Sequence, residues 1–178
     1  MNTCTGCNRC RYGICAAGVL MIDLRRQYFC LVKDQRKTFN DPGGIYEQKH
    51  KRISSCAAQE LKEETRGLVK VSARTLQGCK WVDVPCGRHM YRMYIMYVNS
   101  PGFPSVSCSN FYKINPKTLP KAYQETTRMT WFPIRQFKSE YLRNGHISST
   151  KNTDRGKKEK VHGRVRTGIA SAIQKGLI

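Results

Sequence analysis

The sequence predicts an α/β protein in one domain, and three observations carry this. Short apolar runs bounded by polar turns recur at residues 15–24, 28–33, 69–76, 80–84 and 89–98, the pattern of buried strands. Among them lies one stretch, about 53–66, in which Ile53, Ala57, Leu61 and then Leu68 follow helical spacing, the apolar stripe of a helix docked on a sheet. The chain has 178 residues, 39% of them hydrophobic and 10% aromatic, enough to fill a core and too apolar for disorder.

The first fifteen residues carry Cys4, Cys7, Cys10 and Cys15. Four thiols this close can hold Zn²⁺ as a tetrahedral thiolate site, although zinc sites usually separate two Cys pairs by a longer spacer. The spacing is also half of an iron–sulfur ligand run with one residue too many, and free thiols are the plain alternative. The nine cysteines are an odd number, and no apolar secretion signal precedes them, so a reduced, intracellular and most simply cytoplasmic protein is expected. Cys30, Cys56, Cys79, Cys86 and Cys108 are scattered and are expected to pack as small hydrophobes.

Residues 15–24 and 28–33 form a predicted hairpin around Arg25-Arg26-Gln27. The loop 34–44 follows. Lys33, Arg36 and Lys37 stand near it as candidate phosphate contacts, or as ordinary surface charge. On the helix after the loop, Glu60, Glu63 and Glu64 lie at i, i+3 and i+4 and project from one face. Three such carboxylates repel unless a cation sits between them, and Mg²⁺ or Mn²⁺ prefers oxygen ligands of this kind. A bare E-x-x-E-E is equally an acidic solvated face.

The surroundings of the triad decide between these. The stretch Pro42-Gly43-Gly44 to Leu68 resembles the Nudix box, G-x5-E-x7-R-E-U-x-E-E-x-G-U, with U a bulky aliphatic. Gly44 matches the opening glycine, and Glu60, Leu61, Glu63 and Glu64 match E-U-x-E-E. Three departures stand out. The loop carries one extra residue and Gln59 replaces the arginine; His50 or Lys51 occupies the place of the early glutamate; Arg66 takes the place of the closing glycine, ahead of Gly67-Leu68. The resemblance implies a Nudix-type α/β/α sandwich with a mixed β-sheet. It also implies a pyrophosphohydrolase acting on a nucleoside diphosphate linked to another moiety, with Mg²⁺ or Mn²⁺ as cofactor.

By the same resemblance, Glu60, Glu63 and Glu64 are metal ligands, Gly43 and Gly44 let the backbone turn and approach the metal site and phosphates, and residues 124–137 match the end of the domain. There Glu125, the acid of the preceding loop, is a further ligand or the base. With Glu63 and Glu64 it completes the candidate catalytic set. A strand at 129–133 and a helix at 135–143 are expected next. Residues 99–119 read as a long loop.

Lys and Arg number 32 against 12 Asp and Glu, a net charge of +20. Such an excess predicts an anionic partner: nucleic acid, a polyphosphate small molecule or acidic lipid. No run of about 18 apolar residues exists, so no transmembrane segment is expected. Residues 148–160 are polar and basic. A final helix follows, with Val165, Ile169 and Ile173 spaced by four. Lys157, Lys158, Lys160, Arg164 and Arg166 are candidate RNA-binding residues. The expected organisation is therefore a Cys-rich segment at 1–14, a Nudix hydrolase domain at 15–145 and a basic tail with a helix at 146–178. Capped RNA offers both a diphosphate bridge and a long anionic body, which makes mRNA decapping the first expectation. Some Nudix decapping proteins are encoded by large DNA viruses, and a small, basic, Cys-rich chain suits such an origin. A diphosphoinositol polyphosphate or dinucleoside polyphosphate is the second expectation. A non-catalytic Nudix-fold RNA-binding protein, favoured by the box departures, is the third.

Overall fold

A computed structural model describes residues 13–47, 49–98, 106–141, 146–148 and 158–178. The chain begins with two long strands, β1 (Ile14–Asp23) and β2 (Tyr28–Asp34), the expected hairpin. Two short strands lead to the box, β3 (Phe39–Asn40) and β4 (Gly43–Ile45). Then come helix α1 (Ile53–Glu64), helix α2 (Ala73–Gln77), and strands β5 (Lys80–Cys86) and β6 (His89–Tyr97). Helix α3 (Cys108–Lys113) and two 3₁₀ turns precede β7 (Thr126–Pro133) and the short α4 (Ile134–Gln136), which continues as a π-turn over Phe137–Tyr141. A small ribbon of β8 (His146–Ser148) and β9 (Lys158–Lys160) leads into the last helix, α5 (Gly163–Gln174).

Seven strands form one mixed sheet in the order β3-β2-β1-β6-β5, with β4 also paired to β1 and β7 to β2. The β1–β6 pair is parallel and the others are antiparallel. Alternation along the strands splits the core between the two faces of the sheet. Val19, Met21, Cys30 and Val32 pack with Ala57 and Leu61 of α1. Leu20, Ile22, Phe29 and Leu31 pack with Val165, Ile169 and Ala172 of α5. The result is the expected α/β/α sandwich with a mixed sheet.

Several local expectations change. Residues 69–76 form no strand. Ser72 caps α2 by accepting from the Thr75 N–H, and Val69 and Leu76 are buried against the α1 side of the sheet. The apolar run there was a packing signal without a strand's pairing partner. Residues 106–119 are built around buried Phe111 of α3 rather than forming a plain loop. Cys30, Cys56 and Cys79 are buried as expected, but Cys86 is exposed. No helix of the described residues is long and apolar enough to cross a membrane.

The boundary expected at residue 145 does not fall at an edge of the core. Val161, Val165, Ile169 and Ala172 are buried in it. Glu159, only 3% exposed, accepts hydrogen bonds from Lys33 Nζ at 2.7 Å and Arg128 Nη1 at 2.9 Å. One buried carboxylate thus ties the C-terminal segment to β2 and β7.

Candidate active site

The box is assembled where β4 meets α1. The Gly43 N–H donates to Glu64 Oε2 at 2.8 Å. A Cβ on Gly44 would run into the Glu60 carboxylate, and one on Gly43 into the Tyr91 hydroxyl and the Gly18 backbone. Neither glycine has a positive φ. Their value here is close approach to the helix and to β1, not the expected sharp turn. Gln59, in the place of the box arginine, donates from its side-chain amide to Glu63 one turn later. It holds that carboxylate in place without adding a charge.

Burial and repulsion make Glu60 and Glu64 reluctant to ionise. Glu60 is pushed up to about 7, first by burial and then by Glu63, Glu125 and Glu47. Glu64 is pushed up to about 8 by burial, against the opposing Gly43 N–H, with Glu60 and Asp41 adding to it and Arg164 reducing it. Carboxylates so placed gain by sharing a cation.

Glu64 opens onto a cleft of about 690 Å³, whose other lining residues include Arg36, Lys121, Glu125, His162 and Arg164. Glu125 closes the 3₁₀ turn Lys121–Gln124 and brings a carboxylate to the same cleft. Beneath the cleft floor Asp41 is 0% exposed. It accepts from the Tyr91 hydroxyl and from Arg164 Nε, the latter at 3.1 Å. Arg164 also donates to the Asp41 and Gly43 carbonyls at 3.3 and 3.4 Å and lies over the Tyr91 ring. Burial opposes its charge, but Tyr91 and Asp41 outweigh burial and raise its pKa.

No protein-family model and no curated protein matches the sequence. Solved structures do. One is a bifunctional NMN adenylyltransferase/ADP ribose pyrophosphatase from Francisella tularensis, determined with AMP and a manganese ion. It is 15% identical with a TM-score of 0.52, over 90% of this chain and 41% of that one. Another is the MutT protein from Methanosarcina mazei Go1, 11% identical with a TM-score of 0.52, over 92% of this chain and 94% of that one. The chain has the Nudix fold. It spans about two-fifths of the length of the bifunctional protein and nearly all of MutT.

Within that fold, the predicted site residues separate into three groups. Glu64 and Glu125 line the cleft with Gly43 and Arg36, and Glu60 feels the charges of Glu63 and Glu125. Lys33 does not. It pairs with Glu159, is 15% exposed and does not line the cleft. Lys37 sits in the exposed β2–β3 turn at φ 63°, away from the cleft lining. Arg164, expected on an RNA-binding tail, braces the Gly43 loop instead. Lys158, Lys160 and Arg166 are exposed. Cys15 lies in β1, half-buried against the core, whereas Cys4, Cys7, Cys10 and Lys157 fall outside the described residues.

The sequence pattern missed Asp41, Glu47, Tyr91 and His162, none of which stands at a box position. Glu47 lies three residues after Gly44, and its charge reaches Glu60. It brings a carboxylate to the region where the box's early glutamate is absent.

Among the described residues, no group of three or more acidic, histidine or cysteine side chains is arranged to hold a metal ion. The donors nevertheless suit a hard divalent cation. They are all oxygens, two are held against their own charge, and the Gly43–Gly44 backbone leaves no side chain in the way. Glu60, Glu63 and Glu64 are the residues that would hold it.

Arg66 braces the segment that carries the far side of the cleft. At φ 55° it takes the left-handed conformation that suits the box's glycine. Its guanidinium donates to the carbonyls of Phe111, Ile114 and Thr126 at 3.4, 3.3 and 2.8 Å and stacks on Phe111. It thereby fastens the segment bearing Lys121 and Glu125 to the end of α1. Arg66→Ala keeps the backbone strain and loses all three bonds, so it should destabilise the protein by about 2–3 kcal/mol. Arg66→Gly removes the strain as well and should cost less. Urea denaturation of the two variants checks this order.

Proposed function

We propose that this chain is a divalent-metal-dependent hydrolase of a phosphoanhydride bond in a nucleoside-diphosphate-X substrate, with the 5′ cap of RNA as the first candidate. The observation that supports it is the set of carboxylates Glu60, Glu63, Glu64 and Glu125 beside a cleft that also holds Arg36, Lys121 and Arg164. A cation bound by the α1 carboxylates would neutralise the diphosphate and acidify a coordinated water. Glu60 and Glu64 would hold it, and Glu63, fixed by Gln59, would be a further ligand or orient water. Glu125, on a separate segment at the cleft, is the proposed base. Arg36 and Lys121 draw in the outer phosphates.

The net charge of +20 favours a long anionic substrate over a free nucleotide. The polar cleft lining, with Arg36, Lys121, His162 and Arg164, keeps a diphosphoinositol or dinucleoside polyphosphate as the second reading. The deciding experiment incubates the protein and Mg²⁺ or Mn²⁺ with cap-labelled RNA, free cap analogue, nucleotides and inositol pyrophosphates, and identifies the products. Release of a cap nucleotide from RNA is expected. Turnover of inositol pyrophosphates alone would transfer the proposal to the second reading, and no turnover of any of them would leave the non-catalytic one.

Lys158 and Lys160 are exposed on β9 beside the buried Glu159. Charge reversal of both to Glu should weaken long-RNA binding and reduce its salt slope by about two or more. Hydrolysis of a short diphosphate substrate should be unchanged. Equal salt slopes in mutant and parent would remove this ribbon from the RNA surface.

A further inference from the structure

Outside the cleft, the N-terminal end of α1 forms one wall of a second cavity of about 290 Å³, lined by Arg52, Ser54, Gln77, Trp81, Arg92 and Tyr94, with Ile53. Three features of it are unspent. No side chain caps the first turn of α1 and no acid lies in it, leaving a partial positive charge. Ser54 is 2% exposed and its hydroxyl has no hydrogen-bond partner. Trp81 is 44% exposed, with the Arg92 guanidinium over its ring at 4.9 Å. The nearby acid Asp83 is taken up by two 2.8 Å bonds from Arg92, so it offers no free carboxylate against an anion.

We infer that this cavity binds a nucleotide of single-stranded RNA, its base stacked on Trp81 and Arg92 and its phosphate held by Arg52 and the start of α1, with Ser54 as hydrogen-bonding partner. Bases stack on exposed aromatic and guanidinium planes with little regard to sequence. Helix N-termini with an adjacent arginine hold phosphates. Position along α1 gives the site its use. Arg52 and Glu60 are eight residues apart, roughly 12 Å at the helical rise, a span of about two nucleotides in an extended strand. RNA whose 5′ end lies at the carboxylates can therefore rest a nearby downstream nucleotide here. This use rests on the proposed RNA hydrolysis, whereas the binding itself does not.

Binding is tested in the presence of chelator, so that hydrolysis plays no part. Anisotropy of a labelled oligouridylate of about ten residues should show at least about fivefold weaker affinity for Trp81→Leu, with Trp81→Phe close to wild type. Arg52→Ala should weaken binding and lower the salt slope by about one. Far-UV spectra and thermal melting confirm that the variants are folded. Unlabelled UMP should compete poorly and duplex RNA weakly. Unchanged affinity in both Trp81→Leu and Arg52→Ala overturns the assignment. Competition by UMP as strong as by the oligomer overturns it in favour of a free nucleotide. If the protein hydrolyses capped RNA, Trp81→Leu should raise KM for RNA and leave kcat and the rate on free cap analogue unchanged. Failure of hydrolysis would count against the proposed activity and leave the binding result standing.

Discussion

Glu64→Gln is expected to lower kcat by at least about a hundredfold while the protein stays folded. The amide is the same size as the carboxyl, and its oxygen can still accept from the Gly43 N–H, now 2.8 Å from Glu64. What disappears is the charge that would hold a cation at the cleft. Wild-type turnover should vanish with chelator and return with Mn²⁺ or Mg²⁺. The variant should bind Mn²⁺ more weakly in a calorimetric titration. Undiminished turnover by Glu64→Gln would remove this carboxylate from the chemistry.

The same substitution should change how stability depends on pH. Glu60 and Glu64 lie at about 7 and about 8 in the folded protein, above the ordinary carboxyl range of the unfolded chain. Around neutral pH the folded state therefore binds more protons than the unfolded one, and stability falls as pH rises through these values. Without metal, Tm should drop by about 5–10 °C between pH 6.5 and 8.5. That window avoids His50 and His162, whose lowered pKa values act on stability at lower pH. Mn²⁺ should restore Tm most at the alkaline end, where the carboxylates are ionised. Glu64→Gln should flatten the profile. A wild-type Tm independent of pH across this window would contradict the strained carboxylates.

Arg164→Ala is expected to destabilise the protein by about 3–5 kcal/mol, because it strands a buried charge. Asp41 is 0% exposed, and its side-chain partner left among the described residues would be the Tyr91 hydroxyl. The Gly43 carbonyl would lose a donor too, loosening the loop whose N–H positions Glu64. Lys160→Ala, on an exposed position of the same segment, should change stability by less than about 0.5 kcal/mol. Urea denaturation of the two variants makes the comparison. Equal stabilities would return Arg164 to the role of a surface cation. Truncation before residue 163 should be more severe still, since Val165, Ile169 and Ala172 complete one face of the core.

The sequence by itself determined what depends on neighbours along the chain. The hairpin of β1 and β2 and the strands β5 and β6 are local apolar runs, and α1 with Glu60, Glu63 and Glu64 is a local helical period. The Pro-Gly-Gly approach and the box glutamates made the fold legible despite Gln59 and Arg66. Where each charge is spent was a different matter. Lys33 meets Glu159 across 126 residues, and Arg164 meets Asp41 across 123, separations at which no pattern reports a partner. In the sequence these cations look like those of Lys158 and Lys160, but only the tertiary structure distinguishes a charge desolvated against a buried carboxylate from one left in water. Residues 69–76 show the same limit for backbone. Their apolar run says that they are buried, but a strand needs a neighbour's open edge, and α1 and β6 offered packing instead. Local periodicity selects an element. The tertiary structure decides which side chains meet, because desolvation and pairing energies depend on what folding brings within a few ångströms.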